Sequence, residues 1–128
     1  MKLEGGCLCG KVRYSADAEP IFVGVCHCAN CQKGTGTAFN TVVAVPKPAI
    51  TVTGVLKTFE GRGDTGKATY RRFCPDCATP IVEEAEIMAN VVMIPVGTLD
   101  DPAIHALLGG SNLAILTRPG VGSKGPIR

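Results

Sequence analysis

At 128 residues the chain is long enough for one hydrophobic core and too short to need a second, so a single compact unit is expected. Its 13 Lys and Arg are interspersed with 11 Asp and Glu for a formal charge of +2, which excludes the strong basic footprint of a nucleic-acid or anionic-membrane binder. The 16 glycines and 9 prolines follow no repeat, which favours short strands joined by many turns.

In MKLEGGCLCG no apolar segment follows Lys2, so the N-terminus reads as no secretory signal. The longest apolar run, at 91–96, is interrupted by Pro95 and is too short to span a bilayer. A cytoplasmic protein with reduced thiols and no membrane partner is expected. Residues 11–16 (KVRYSA) alternate, with Val12 and Tyr14 on one face, and predict a half-buried strand; 21–25 is a second β-prone run that leads directly into Cys26. The runs 39–45, 50–53, 56–59 and 67–73 are rich in β-branched and aromatic residues and are bounded by Pro46, Pro48, Gly54, Gly61 and Gly66. They predict an antiparallel sheet, which 91–96 closes. Helical pieces are expected only at 28–33, 83–88 and 104–108, and from Pro119 onward PGVGSKGPIR has little to bury and reads as a flexible or extended tail.

The 7 cysteines fall into three groups: Cys7 and Cys9, then Cys26, Cys28 and Cys31, then Cys74 and Cys77. An odd number of thiols in a reducing compartment points to metal or redox chemistry rather than to a disulfide framework. In CPDC, the two-residue spacing lets Cys74 and Cys77 converge on one ion while backbone N–H groups face the sulfurs, as in zinc knuckles. Cys7 and Cys9 lie among Gly5, Gly6 and Gly10, where the backbone can bend sharply. Pairing the two groups closes a four-sulfur structural zinc site and ties distant parts of the chain together. Four isolated core thiols need no such spacing.

Cys26, Cys28 and Cys31 remain, with no further cysteine and only His27 and His105 as other soft donors. Three protein ligands and one exchangeable position are the arrangement of an open, catalytic zinc. In an extended segment His27 points away from Cys26 and Cys28, so it reads as a neighbour of the site rather than a ligand, and His105 reads as a solvated or packed residue. Zinc favours soft thiolates, so a small-molecule thiol is the natural visitor to the open position, activated there by a lowered pKa. Lys33, Arg62, Lys67, Arg71 and Arg72 can pair with substrate carboxylates, and Lys33 is favoured because it lies two residues beyond Cys31. Glu60, Asp76, Glu83 and Glu84 are candidate bases, but nothing in their spacing selects one.

GGCLCGKVRY at 5–14, CHCANCQKGTGTAF at 26–39, FCPDCATPI at 73–81 and VGTLDDP at 96–102 resemble the glutathione-dependent formaldehyde-activating enzymes, relatives of centromere protein V. The resemblance implies a mainly β fold of folded antiparallel sheets, the β-tent, stapled by zinc and with few short helices. It implies two zinc ions per chain, a structural one on Cys7, Cys9, Cys74 and Cys77 and a labile one on Cys26, Cys28 and Cys31. It implies addition of glutathione to formaldehyde, giving S-hydroxymethylglutathione, a carbon-sulfur lyase reaction in reverse. Two features depart from the family pattern. Ala78 follows Cys77 where such knuckles have glycine, so a different turn is expected there. The segment after Pro102 lacks the usual aromatic strand and its tryptophan. The organisation that follows is a zinc-binding β-tent domain over 1–102 and an atypical C-terminal segment over 103–128, of which 119–128 is the flexible part.

Two other functions compete with the thiol-activating enzyme. A non-catalytic zinc module binding protein or nucleic acid needs a basic, aromatic-interleaved face, which four Phe, two Tyr and a balanced charge do not provide. A redox or metal sensor would lose the ion of its three-cysteine site on oxidation. The residues leave the oligomeric state open, a homo-oligomer included.

Overall fold

Pairing of the β-branched runs dominates the architecture, which a computed structural model describes for residues 1–101 and for the backbone of 113–117. The smaller of two sheets contains β1 (Lys2–Gly6), β2 (Arg13–Asp17) and β5 (Ile50–Thr53), in the order β1-β2-β5. The larger contains β3 (Phe22–Cys26), β4 (Asn40–Pro46), β6 (Lys57–Arg62), β7 (Ala68–Phe73), β8 (Pro80–Ala85), β9 (Val91–Pro95) and β10 (Leu113–Thr117). Its order is β10-β3-β4-β9-β8-β7-β6, antiparallel throughout except that β10 runs parallel to β3. One helix, α1 (Ala29–Thr35), is inserted between β3 and β4. The protein is mainly β with folded antiparallel sheets, as the sequence implies.

The core is formed by Leu3, Val12, Tyr14 and Ala16 of the N-terminal part together with Val43, Val45, Ile81, Val92 and Ile94 of the larger sheet. Val43, Val45, Ile81 and Ile94 are 0 % exposed, and each such side chain contributes about 1.5–3 kcal/mol through burial. Along β4 the run TVVAV is apolar on both faces because the strand is central to its sheet: Val42 and Ala44 are buried as well. Gly5 is where β1 comes closest to the rest of the fold. A Cβ there would lie 2.2 Å from the Thr98 carbonyl oxygen and 2.3 Å from the Tyr14 hydroxyl, so only glycine allows the bridge to Leu99.

The sequence expectation fails at 83–88, where a helical piece is expected. Glu83 and Glu84 belong to β8, and only Glu86–Met88 makes a short 3-10 turn. Glu83 lies opposite Arg71 and Glu84 opposite Tyr70 across the β7–β8 pair, and the ion pairs Arg71–Glu83 and Arg72–Glu84 bind the two strands. Cross-strand pairing outweighs the modest helix propensity of EEAEIM. Strands β1 and β10, like β8, lie outside the runs from which strands are expected. The expected helical piece at 104–108, His105 and the tail 119–128 lie outside the described residues.

Candidate functional site

Two clusters of sulfur emerge from this fold. The Sγ atoms of Cys7, Cys9, Cys74 and Cys77 all lie within 4.8 Å of one another. Cys7 and Cys9 leave the end of β1 in a glycine-flanked turn, and Cys74 and Cys77 occupy the turn after β7. Two of the sulfur separations, Cys7–Cys9 at 3.6 Å and Cys9–Cys74 at 3.7 Å, are far too long for a disulfide. They match the edge of about 3.8 Å that a tetrahedron of sulfurs about 2.3 Å from a zinc ion requires. The residues therefore fit a tetrahedral soft metal.

Local donors complete that first cluster. The Val12 N–H donates to Cys7 Sγ at 3.2 Å, and the Thr79 hydroxyl lies 3.2 Å from Cys77 Sγ. The Thr79 contact, with backbone N–H groups behind it, lowers the Cys77 thiol to about 5. The turn also resolves the status of Ala78. Its φ is +63°, the left-handed conformation, with its N–H on the Cys74 carbonyl at 2.8 Å and the Cys74 N–H on the Thr79 carbonyl at 3.0 Å. The expected change of turn does not occur: alanine adopts the conformation that glycine would favour, at a cost of about 1 kcal/mol.

The second cluster is built from one contiguous stretch. Cys26 ends β3, Cys28 caps α1 and Cys31 lies buried in the first turn of the helix. Cys28 Sγ accepts from the Cys31 N–H at 3.3 Å, a sulfur in the role usually taken by a Ser or Asp oxygen. The three Sγ atoms lie within 4.8 Å of one another. Among the described residues no fourth cysteine, histidine or carboxylate belongs to this group; His27 instead has its ring tilted on Phe39, with centroids 5.5 Å apart. Crowding by Cys26, then burial, pushes the Cys31 thiol well above the ordinary range in the absence of a cation. Three thiolates so close together need a divalent ion, so this donor set also fits a soft metal.

The three sulfurs line a cavity of about 190 Å³ that Asn40, Arg71 and Glu83 also line. Glu83 is buried, and the Asn40 side-chain amide donates to both of its oxygens, at 2.7 and 3.2 Å. Arg71 pairs with the same carboxylate and directs its other terminal nitrogen to Cys31 Sγ at 4.0 Å. Val42, Met88 and Met93 supply apolar wall.

The remaining sequence candidates scatter. Lys33 is exposed on α1 and lines an adjoining groove of about 270 Å³ with Arg62 and Arg71, rather than the cysteine cavity. Arg72 is paired with Glu84, which also accepts from Lys47 at 2.8 Å, and Asp76 is paired with Lys11 at 3.3 Å beside the four-cysteine cluster. Glu60 lies 4.0 Å from Arg62 on the exposed β6. Of the four candidate carboxylates, Glu83 and Glu84 line the cavity. Asn40 is not among the residues that the sequence singles out. The available signal was a polar residue opening an otherwise apolar run.

Comparison with known proteins agrees with the cysteine pattern. Residues 2–108 match the family described as glutathione-dependent formaldehyde-activating enzyme. A crystal structure of a Rhodobacter sphaeroides protein superposes with a TM-score of 0.64 at 17 % identity, covering 88 % of this chain and 98 % of that one, a likeness of fold. No curated protein matches. Among the described residues, no helix is long and apolar enough to cross a membrane.

Proposed function

The chain belongs to the glutathione-dependent formaldehyde-activating enzyme family, and from that premise we propose that it adds a small thiol, glutathione, to formaldehyde or a related aldehyde at the three-cysteine site. The observation that carries the reading is the convergence of Cys26, Cys28 and Cys31 on the wall of a cavity, with no fourth protein donor in the group. Cys7, Cys9, Cys74 and Cys77 hold a structural zinc, and Cys26, Cys28 and Cys31 hold a second, labile one. Bound there, zinc supplies Lewis-acid stabilisation of a thiolate at neutral pH.

The reaction forms one C–S bond as the carbonyl π bond opens, and the thiol proton ends on the former aldehyde oxygen. The product is S-hydroxymethylglutathione, and the class is that of a carbon-sulfur lyase acting in reverse. A cavity of about 190 Å³ is smaller than the roughly 300 Å³ at which pockets begin to enclose a whole drug-sized ligand. Only the thiol end of glutathione and the aldehyde enter it. The peptide arms extend into the adjoining groove, where Lys33 and Arg62 face their carboxylates; Asn30, Thr69 and Arg71 line both spaces. A reducing cytoplasm keeps the seven thiols available for metal.

The test is formation of S-hydroxymethylglutathione from glutathione and formaldehyde by the zinc-loaded protein and by Cys28→Ala. The expected result is turnover in the parent and its loss in the variant, with stability lowered only by the lost helix cap, about 1 kcal/mol. Equal rates in both, after subtraction of the uncatalysed reaction, would exclude the open site as the catalytic one. Tight, salt-dependent binding of nucleic acid without turnover would instead favour a non-catalytic module.

A further inference from the structure

Arg71 lines the cysteine cavity and two neighbouring pockets, and its guanidinium lies 4.0 Å from Cys31 Sγ. Its surroundings combine two choices that are each unfavourable by themselves. The first is a carboxylate, Glu83, buried with its side chain 10 % exposed beside an arginine 25 % exposed. Taking such charges out of water is costly, and an apolar pair of the same volume often stabilises a fold as well or better. The second is Gly34 in the seven-residue helix α1, where glycine is less favourable than alanine. A Cβ at Gly34 would lie 2.9 Å from Arg71 NH1, 3.0 Å from its Cζ and 3.3 Å from its Nε. Gly34 therefore leaves room for the guanidinium, and Glu83, itself held by Asn40, fixes its angle. Between them the free end of the fork reaches Cys31 Sγ.

We propose that Arg71 is a positioning residue for the open metal site. Locked by Glu83 and Asn40 and seated against Gly34, it holds Cys31 Sγ toward the cavity and takes up part of its negative charge. Arginine suits the task because one rigid, permanently charged fork serves a carboxylate and a sulfur at once, which the single ammonium of lysine does not. This inference rests on the reading of Cys26, Cys28 and Cys31 as metal ligands. Groups that orient ligands from outside the coordination sphere typically change metal affinity 10–100-fold when removed.

The experiment is cobalt(II) titration of the whole chain, read by the sulfur-to-cobalt charge-transfer absorption, for the parent, Arg71→Met, Gly34→Ala and the double variant. The parent should take up two equivalents. In Arg71→Met the weaker equivalent should lose about 10–100-fold in affinity and its absorption should shift, while the tighter one is unchanged. Gly34→Ala removes no charge and suits a helix, yet its Cβ displaces the guanidinium, so it should shift the same band in the same direction. The double variant should be no weaker than Arg71→Met alone. A parent-like second equivalent in both single variants would overturn the proposal, as would equal weakening of both equivalents with a lowered Tm. Should Arg71→Met fail to fold, Gly34→Ala decides. Uptake of a single equivalent by the parent would overturn the two-site reading and this inference with it; two equivalents in the parent with an indifferent Arg71 would overturn this inference alone.

Discussion

The two cysteine clusters assemble the same side chain in opposite ways. In the four-cysteine cluster, Cys9 and Cys74 are 65 positions apart and meet only because the sheets bring the turn after β1 against the turn after β7. In the three-cysteine cluster all donors come from six consecutive residues. Closing the longer loop is worth about 2 kcal/mol more in chain entropy alone, since the cost grows with the logarithm of loop length. An ion in the first cluster is therefore part of the fold, whereas an ion in the second adds little to it. The sequence distance that the sulfurs span and the space beside them are what support the proposed division into a structural and a reactive site.

The largest effect that this contrast predicts is for Cys74→Ser. Losing a fully buried ligand of the long-range cluster should cost about 3 kcal/mol or more, a fall of roughly 10 °C in Tm by calorimetry, because metal binding and folding are one equilibrium there. Cys28→Ser should move Tm by less than about 1 kcal/mol equivalent while abolishing one equivalent of metal and the turnover with it. Comparable losses of stability in both variants would erase the distinction.

Acid should separate the clusters next. Ligand thiols must lose their protons to bind metal, so affinity falls as pH falls at both sites. Thr79 and nearby N–H groups lower Cys77 to about 5, but in the same cluster the Lys11 backbone hydrogen bond is outweighed by burial and the neighbouring sulfurs, which push Cys9 up to about 12. Cys31 is raised likewise, by Cys26 and by burial, so a thiol in each cluster must release its proton on binding. The clusters differ in donor number, so with three sulfurs against four the three-cysteine site should yield its ion to a chromophoric chelator first as pH is lowered from neutrality; simultaneous release would contradict the assignment. The smallest effect concerns the knuckle alone. Ala78→Gly relieves the left-handed alanine and should raise stability by up to about 1 kcal/mol without altering the three-cysteine site, checked by denaturant unfolding of the metal-loaded protein.

The spacing of the cysteines determines the partition of the clusters, because a C-x-x-C turn and the CHCANC stretch position sulfurs through local backbone geometry alone. The β-branched runs likewise place most strands near their observed positions. Strands β1 and β8 carry weak sequence signals, since KLEGG is short and glycine-ended and PIVEEA carries two glutamates that read as helical until β7 sets Arg71 opposite Glu83 and lets Arg72 reach Glu84 diagonally. That pairing is long-range and has no signature in periodicity. The pocket belongs to tertiary structure for the same reason. Asn40, Arg71 and Glu83 come from three strands, and only their burial beside Cys31 distinguishes them from ordinary surface polar residues. Sequence determines chemistry where the donors are neighbours in the chain; the fold decides which charges are desolvated beside them, because burial is a property of the packed sheets and not of any segment.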